Sequence, residues 1–493
     1  MSERIAFLTR QSPSRFWPFT LLGVMLAAGA GYLVGTMGVA GSVLAVLLPV
    51  GMLLGVGVLL EPRFGLFLYV QFCFVIGFSR FAQVEIPVGT LVDALLALTL
   101  FSTLLNGKEM AWSRLRSPLF VALSLWFIYT VLELFNPEAP YRPAWLYHVR
   151  PFSLHWFMVA IIVLVTPIKR SDIRIMVNTW LFWSFLAALW AFKQKYVGLT
   201  TAEWAWLNNG NAKTHLLFGR LRCFSFYSDA AQFGAEMAAV TLVSVIRTFE
   251  EKTVRRKAFF ALLALVYFWG YAVSGTRSAL FVLVAGLAFY LLLKRDFLKL
   301  TIGAALATPL ILLLMYTSIG SSNYEIQRMR SALTPMNDPS FLVRLENQKK
   351  LAEYLRDLPF GAGIGTSADT GARFSPHHFA AQIPPDSWYV EIWIETGVVG
   401  LTLYIAMLLF LIAVGVKQVW QLRDPWLEKT MLCLLAEFFG IAVMAYSNPV
   451  IGQFPTNGIL FISTVLFTTC YRWDTRREAE PAVHYHAYRN LSI

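Results

Sequence analysis

The sequence predicts an all-α polytopic membrane protein of about fourteen transmembrane helices, with one large extracytoplasmic loop containing an amphipathic helix. Three observations carry this expectation. Of the 493 residues, 57% are hydrophobic and only 14% are charged, where soluble domains carry about 25% charged residues. Apolar runs of roughly 18 or more residues recur from Trp17 to Cys470, each long enough to cross a bilayer core of about 30 Å. The basic residues also concentrate in alternate short connections, the asymmetry that membrane insertion imposes.

In chain order the spans fall at approximately 17–36, 40–60, 64–79, 88–106, 117–136, 152–167, 173–193, 229–248, 257–275, 278–294, 298–316, 388–416, 427–448 and 455–471. The apolar run after Arg15 continues to about Leu60, longer than the core of a removable signal peptide, so it reads as a first helical hairpin. With the N-terminus in the cytoplasm, 25 of the 41 basic residues lie in cytoplasmic segments, among them Arg15, Arg116, Arg256, Lys294 and Lys417. Both termini then face the cytoplasm. The resulting organisation is helices 1–11 over 1–316, the large loop over 317–387, helices 12–14 over 388–471 and a polar tail over 472–493.

Most of the remaining cations collect in three places: Lys193 to Arg222, Arg277, and the large loop from Arg328 to Arg373. Arg277 is the single charge between Lys257 and Lys294. An arginine in hydrocarbon costs roughly 2.5–3.5 kcal/mol on insertion scales, so it either snorkels at a hairpin tip or awaits an anion. Cations kept outside against the insertion bias suggest an anionic ligand there. The large loop is partly ordered: in "FLVRLENQKKLAEYLRDLPFGAGIG", Phe341, Leu345, Ala352 and Leu355 recur at helical spacing, and Pro359 with Gly361 ends the helix. Such a helix would form a lid over the outer face.

Several functions lose support. The sequence carries no Walker A motif, strand-associated GxGxxG, HExxH or GxSxG elbow, which argues against ATP-driven transport and zinc or serine hydrolysis. Four cysteines form neither a CxxC pair nor a disulfide framework. His484 and His486 sit in the polar tail, where a solvated tail is a simpler reading than a metal site. No acidic cluster has the spacing of a Mg²⁺ site, and no repeat relates the two halves as in an inverted-repeat transporter.

The ordered series of outer motifs resembles the O-antigen ligase / Wzy polysaccharide polymerase superfamily. Ser274, Gly275, Thr276 and Arg277 match its serine-glycine-x-arginine turn; Arg344 matches an arginine opening a helix in the large loop; "PFGAGIG" from Pro359 to Gly365 matches a proline-glycine turn; and "DSWYVEIWIETGVVGL" matches the segment entering the next span. "RCFSFYSDAAQFGAEMA", from Arg222, is similar to an earlier outer segment of the family. The resemblance covers roughly residues 200–420 and implies a GT-C-like helical fold. It departs at one point: the family's histidine-asparagine dipeptide, whose histidine is the proposed general base of the ligases, is here Asp386-Ser387.

The implied activity is transfer of a glycan from undecaprenyl diphosphate to a hydroxyl outside the bacterial inner membrane. The acceptor is lipid A-core in the ligases and a lipid-linked glycan in the polymerases. The donor is already activated, so no cofactor, metal or nucleic acid is expected, and the partners are the lipid-linked donor, the acceptor, membrane lipid and other polysaccharide-assembly proteins. Arg277 and Arg344, with Arg222 next, are the candidates for the diphosphate, because guanidinium forks match phosphate oxygens bidentately. Asp386 is the preferred base, with His378 in reserve and His377 beside it. Asp386 has the alternative of capping the helix that follows. Tyr389, Glu391 and Glu395 are supporting residues: Tyr389 and Glu391 are expected to position the motif, and Glu395, on the same helix face as Glu391, to pair with one of the arginines. Arg142, His148 and Arg150 are further candidates to line the outer cavity. Asp93, Glu133, Glu236 and Glu437 are intramembrane acids for which structural pairing is expected. A lipid-linked oligosaccharide flippase is the alternative from another class, disfavoured by the single large loop, and an assembly scaffold is a third.

Overall fold

A computed structural model of the chain describes residues 45–474 apart from 47, 83–87, 218, 319–329 and 331–338. The expected span at 17–36 and the tail beyond 474 lie outside the described residues. Elsewhere a helix overlaps each expected span, and two more of the helices named next, Pro143–Val149 and Pro339–Tyr354, lie between spans. The helices are α1 (Leu48–Leu60), α2 (Pro62–Val75), α3 (Val88–Leu105), α4 (Pro118–Leu132), α5 (Pro143–Val149), α6 (His155–Val165), α7 (Arg170–Phe192), α8 (Ala230–Glu250), α9 (Val254–Ser274), α10 (Leu280–Leu293), α11 (Phe297–Tyr316), α12 (Pro339–Tyr354), α13 (Trp388–Trp420), α14 (Pro425–Met444) and α15 (Thr456–Thr468). The segments long and apolar enough to cross a membrane are Pro62–Ser79, Pro118–Phe135, Pro143–Val165, Arg170–Val197, Val254–Ser274 and Trp388–Trp420. The chain is an all-α membrane protein; among the described residues the β structure is one antiparallel pair, Leu216–Leu217 with Arg220–Leu221.

Helix boundaries follow from local chemistry. Asp229 opens α8 by accepting from the N–H groups of Ala231 at 2.6 Å and Gln232 at 2.8 Å, and Asp424 opens α14 on Trp426 and Leu427 in the same way. Ser117 with Pro118 opens α4. Gly275, at φ 60°, ends α9 in the left-handed region.

Burial shows why these helices need lipid. On α9, Ala264, Tyr267, Tyr271 and Ser274 are buried while Phe259, Leu262, Leu265 and Phe268 are exposed, so both faces are apolar and the outer one demands hydrocarbon. The helix nearest the centre is α8, buried along nearly all its length. Where α10 crosses α14, a Cβ on Gly440 would meet the Val282 carbonyl oxygen at 2.6 Å, so a small residue sets the close backbone approach. The intramembrane acids are partnered as expected. Asp93 accepts from Arg150 at 2.8 Å and pairs with His155 at 2.6 Å, Glu133 accepts from Asn136 at 2.7 Å, and Glu236 accepts from Trp180 and Thr456. Glu437 is the exception: its Oε2 is buried with no hydrogen-bond partner among the described residues.

Short connections at 251–253, 294–296 and 421–424 join antiparallel helices and gather at one end of the bundle. Lys294 reaches Glu250 at 3.2 Å and Glu428 at 3.1 Å there, and Trp420 donates to the Leu293 carbonyl. The start of α8, the end of α9, the end of α14 and the start of α13 lie at the opposite end, about 30 Å away for a helix the length of α8.

At that second end α13 is broken at Gly397, whose φ of 65° and ψ of −171° suit only glycine. The break releases the carbonyls of Ile394 and Glu395, which accept from Ala362 N–H at 2.8 Å and Gly363 N–H at 3.0 Å. The "PFGAGIG" turn is thus laid across the broken helix, and a Cβ on Gly397 would stand 2.0 Å from the Pro359 oxygen. Gly397→Ala is expected to cost on the order of 3 kcal/mol, combining backbone strain with the clash. The check is thermal unfolding in detergent, where an unchanged midpoint would mean that the turn gives way instead.

Candidate active site

That second end of the bundle is organised around a turn that the charge pattern does not advertise, Ala445–Pro449 after α14. A helix leaves its last carbonyls without partners, and here other segments supply them. Tyr389 O–H donates to Ala442 at 2.6 Å, and Trp388 N–H and Ser387 Oγ donate to Ala445 at 3.0 and 3.3 Å. Arg344 Nη1 donates to the Ser447 carbonyl at 3.3 Å, and the Asn448 amide donates to Ser278 Oγ. Consecutive residues of one turn therefore hold Arg344 of α12 and the residue next to Arg277.

Arg277 opens a single 3₁₀ turn between α9 and α10 and is half-buried. The preceding turn is clamped by Arg222, whose Nε donates to the Ser274 carbonyl at 3.1 Å, Nη2 to Thr276 Oγ1 at 3.0 Å and Nη1 to the Thr214 carbonyl at 3.0 Å. Thr276 Oγ1 in turn donates to the Ala230 carbonyl at 2.8 Å, pinning the turn to the start of α8. Three nitrogens of Arg222 are thus engaged by the protein itself.

Arg344 Nε stands 3.7 Å from Asp386 Oδ2, too far for a hydrogen bond, and both side chains are about a third exposed at 32% and 39%. Asp386 has φ 53°, the left-handed region that non-glycine residues enter at a cost of order 1–3 kcal/mol and that recurs at functional sites. It does not cap α13; Ser387 does, accepting from Val390 N–H. The Asp386 carboxylate is therefore presented beside a guanidinium, loosely held and open to solvent.

His378 lies elsewhere. Its Nδ1 accepts from Ala380 N–H at 3.3 Å, and its Nε2 is 3.4 Å from the Tyr354 hydroxyl. Burial pushes its imidazole below the ordinary histidine range, in keeping with an accepting nitrogen. Tyr354 is ten residues beyond Arg344 on α12, about 15 Å along the axis. The structure thus brings Arg344 and Asp386 together without His378.

The acids of α13 do not meet the arginines either, and the arginine partner expected for Glu395 is instead a histidine. Glu391 Oε1 and Glu395 Oε2 stand 3.1 and 3.3 Å from His148 Nε2, all three side chains buried. Glu395 also accepts from Ser367 N–H at 3.1 Å and Ser367 Oγ at 2.7 Å, while His148 Nδ1 is 3.0 Å from Thr370 Oγ1. An i, i+4 pair does share one face, but that face is turned toward α5 and the loop after Gly365. Arg150, grouped with His148 in the sequence, instead bonds Asp93.

Residues 260–405 match the family described as O-antigen ligase. This segment is similar to that family's domain. No curated protein matches the chain. The matched segment contains the turn with Arg277, the helix with Arg344, "PFGAGIG" and Asp386. Arg222 and the Ala445–Pro449 turn lie outside the matched segment but are hydrogen-bonded to it. Sequence reasoning passed over Ser447 and Asn448; the signal available was "YSNPVIGQFP", a dense turn cluster between two spans. Gln453 in the same connection accepts from Ser228 at 3.1 Å, tying in the start of α8. Asn448→Ala is expected to leave the unfolding midpoint nearly unchanged, since one hydrogen bond contributes about 1 kcal/mol. Transfer is expected to fall by about tenfold or more as the Arg277 turn shifts. Unaltered kinetics would show that the tie does not position Arg277.

Proposed function

We propose that the protein is a membrane glycosyltransferase that moves a glycan from undecaprenyl diphosphate to a sugar hydroxyl outside the cytoplasmic membrane, as a polysaccharide polymerase or an O-antigen ligase. The family match supports glycosyl transfer of this general kind. The single observation that carries the finer reading is the Ser447–Asn448 turn, which links Arg344, and through Ser278 the arginine beside it, at one bundle end.

The acceptor oxygen attacks the anomeric carbon and forms the new glycosidic bond. The bond from that carbon to the phosphate oxygen breaks, and its electron pair leaves with undecaprenyl diphosphate. Arg277 and Arg344 take the charge that grows on the diphosphate, the kind of fixed donors that contribute several kcal/mol to a transition state. Asp386 takes the acceptor proton. One displacement inverts the anomeric centre, and these residues suffice without a metal. Arg222 acts through the turn that it clamps and is a positioning residue. Both termini face the cytoplasm and the site faces outward.

The test is turnover by the full-length protein in proteoliposomes containing a lipid-linked oligosaccharide. A new glycosidic product is expected. Movement of the donor between leaflets without a product would favour a flippase instead. In cells lacking the gene, accumulated single repeats indicate a polymerase, and long chains left on the carrier lipid indicate a ligase.

A further inference from the structure

The end of the bundle opposite the candidate site holds a cavity of about 370 Å³ between α7, α8, α9 and α14. Four cations line it, Arg174, Arg247, Arg256 and Lys429, against one carboxylate, Glu251. Glu251 is already bridged by Arg247 at 2.8 Å, Lys429 at 3.3 Å and Arg256 at 3.7 Å. One acid therefore balances only a fraction of the charge. The remaining wall is apolar: Phe259, Phe260 and Trp426 line the same space, and Phe259 is 56% exposed.

The cations are aimed rather than scattered. Arg247 lies over the Phe260 ring at 5.1 Å and Arg174 over the Trp426 ring at 5.2 Å, so aromatic faces hold both guanidinium groups at the cavity. The Arg247 Nε is buried with no hydrogen-bond partner among the described residues, although an N–H in that position ordinarily has one. Insertion bias explains basic residues in solvated connections, but not their convergence on a cavity with an apolar outer wall.

We propose that this cavity binds the phosphate headgroup of an anionic phospholipid, with the acyl chains leaving past Phe259. The headgroup oxygens face Arg174, Arg247, Arg256 and Lys429, and Glu251 keeps the cations apart in its absence. A basic pocket between transmembrane helices, apolar on its membrane side, suits an amphiphile better than a soluble anion. On the orientation proposed above it opens to the cytoplasmic leaflet, and it is separated from the outer site by the length of α8.

Native mass spectrometry of the full-length protein, released from micelles containing equal phosphatidylglycerol and phosphatidylcholine, tests this. Phosphatidylglycerol is expected to be retained preferentially, and Arg174→Gln and Arg256→Gln each to lower its retention by about fivefold, the ratio for roughly 1 kcal/mol per basic side chain near a headgroup. Arg256 is 71% exposed, so its replacement keeps the fold even where Arg247→Gln does not. Equal retention of phosphatidylcholine, undiminished retention by both variants, or displacement of the lipid by millimolar inorganic pyrophosphate would each overturn the proposal.

Discussion

Arg277→Lys is expected to reach the membrane at the wild-type level and to lose about 10²–10³ in the rate of glycan transfer, the loss that follows removal of one fixed donor to a developing anion. A lysine keeps the charge but presents a point ammonium in place of a planar fork. The turn around Arg277 is built to fix direction. Arg222 clamps its backbone at Ser274, Thr276 joins it to Ala230, and Asn448 holds the hydroxyl of Ser278. Such bracing serves little purpose for a cation that merely snorkels to water. The measurement is single-turnover transfer at matched protein level, and wild-type rates in the lysine variant would remove Arg277 from the diphosphate site.

Asp386→Asn is expected to lower transfer by about 10²–10⁴, the range for loss of a general base. Asparagine tolerates the left-handed backbone that this position requires, so the substitution removes the charge and leaves the conformation. Stability is expected to change by no more than about 1 kcal/mol, because the contact with Arg344 is long and partly solvated. Asp386→Gly provides the complement, relieving φ 53° while also deleting the carboxylate. Both variants should be inactive to a similar degree if the carboxylate takes the proton. Activity retained in both variants would assign Asp386 a backbone role.

Much of this architecture was legible because hydrophobic length and glycine placement are local properties. Helices could be read from run length, and α12 from the spacing of Phe341, Leu345, Ala352 and Leu355 with its stop at Pro359 and Gly361. What those elements touch was not legible. That Glu391 and Glu395 share a face follows from helical periodicity, but their partner, His148, comes from a distant segment that no local pattern indicates. Helix breaking at Gly397 depends on the "PFGAGIG" turn being available to bond Ile394 and Glu395, a tertiary condition. Likewise Ser387 rather than Asp386 caps α13, and choosing between adjacent capping residues requires the backbone itself. The Ser447–Asn448 turn carries no charge, so a search for cations and bases passed over the element that ties them together.

The central claim is that Arg277 and Arg344 act on one diphosphate. A double-mutant cycle on the binding of a lipid-linked diphosphate donor, using Arg277→Lys, Arg344→Lys and the pair, tests it most directly. Shared contact with one ligand predicts non-additive losses, with a coupling of about 0.5–3 kcal/mol. Losses that simply add, or a single variant that binds as wild type does, would contradict it.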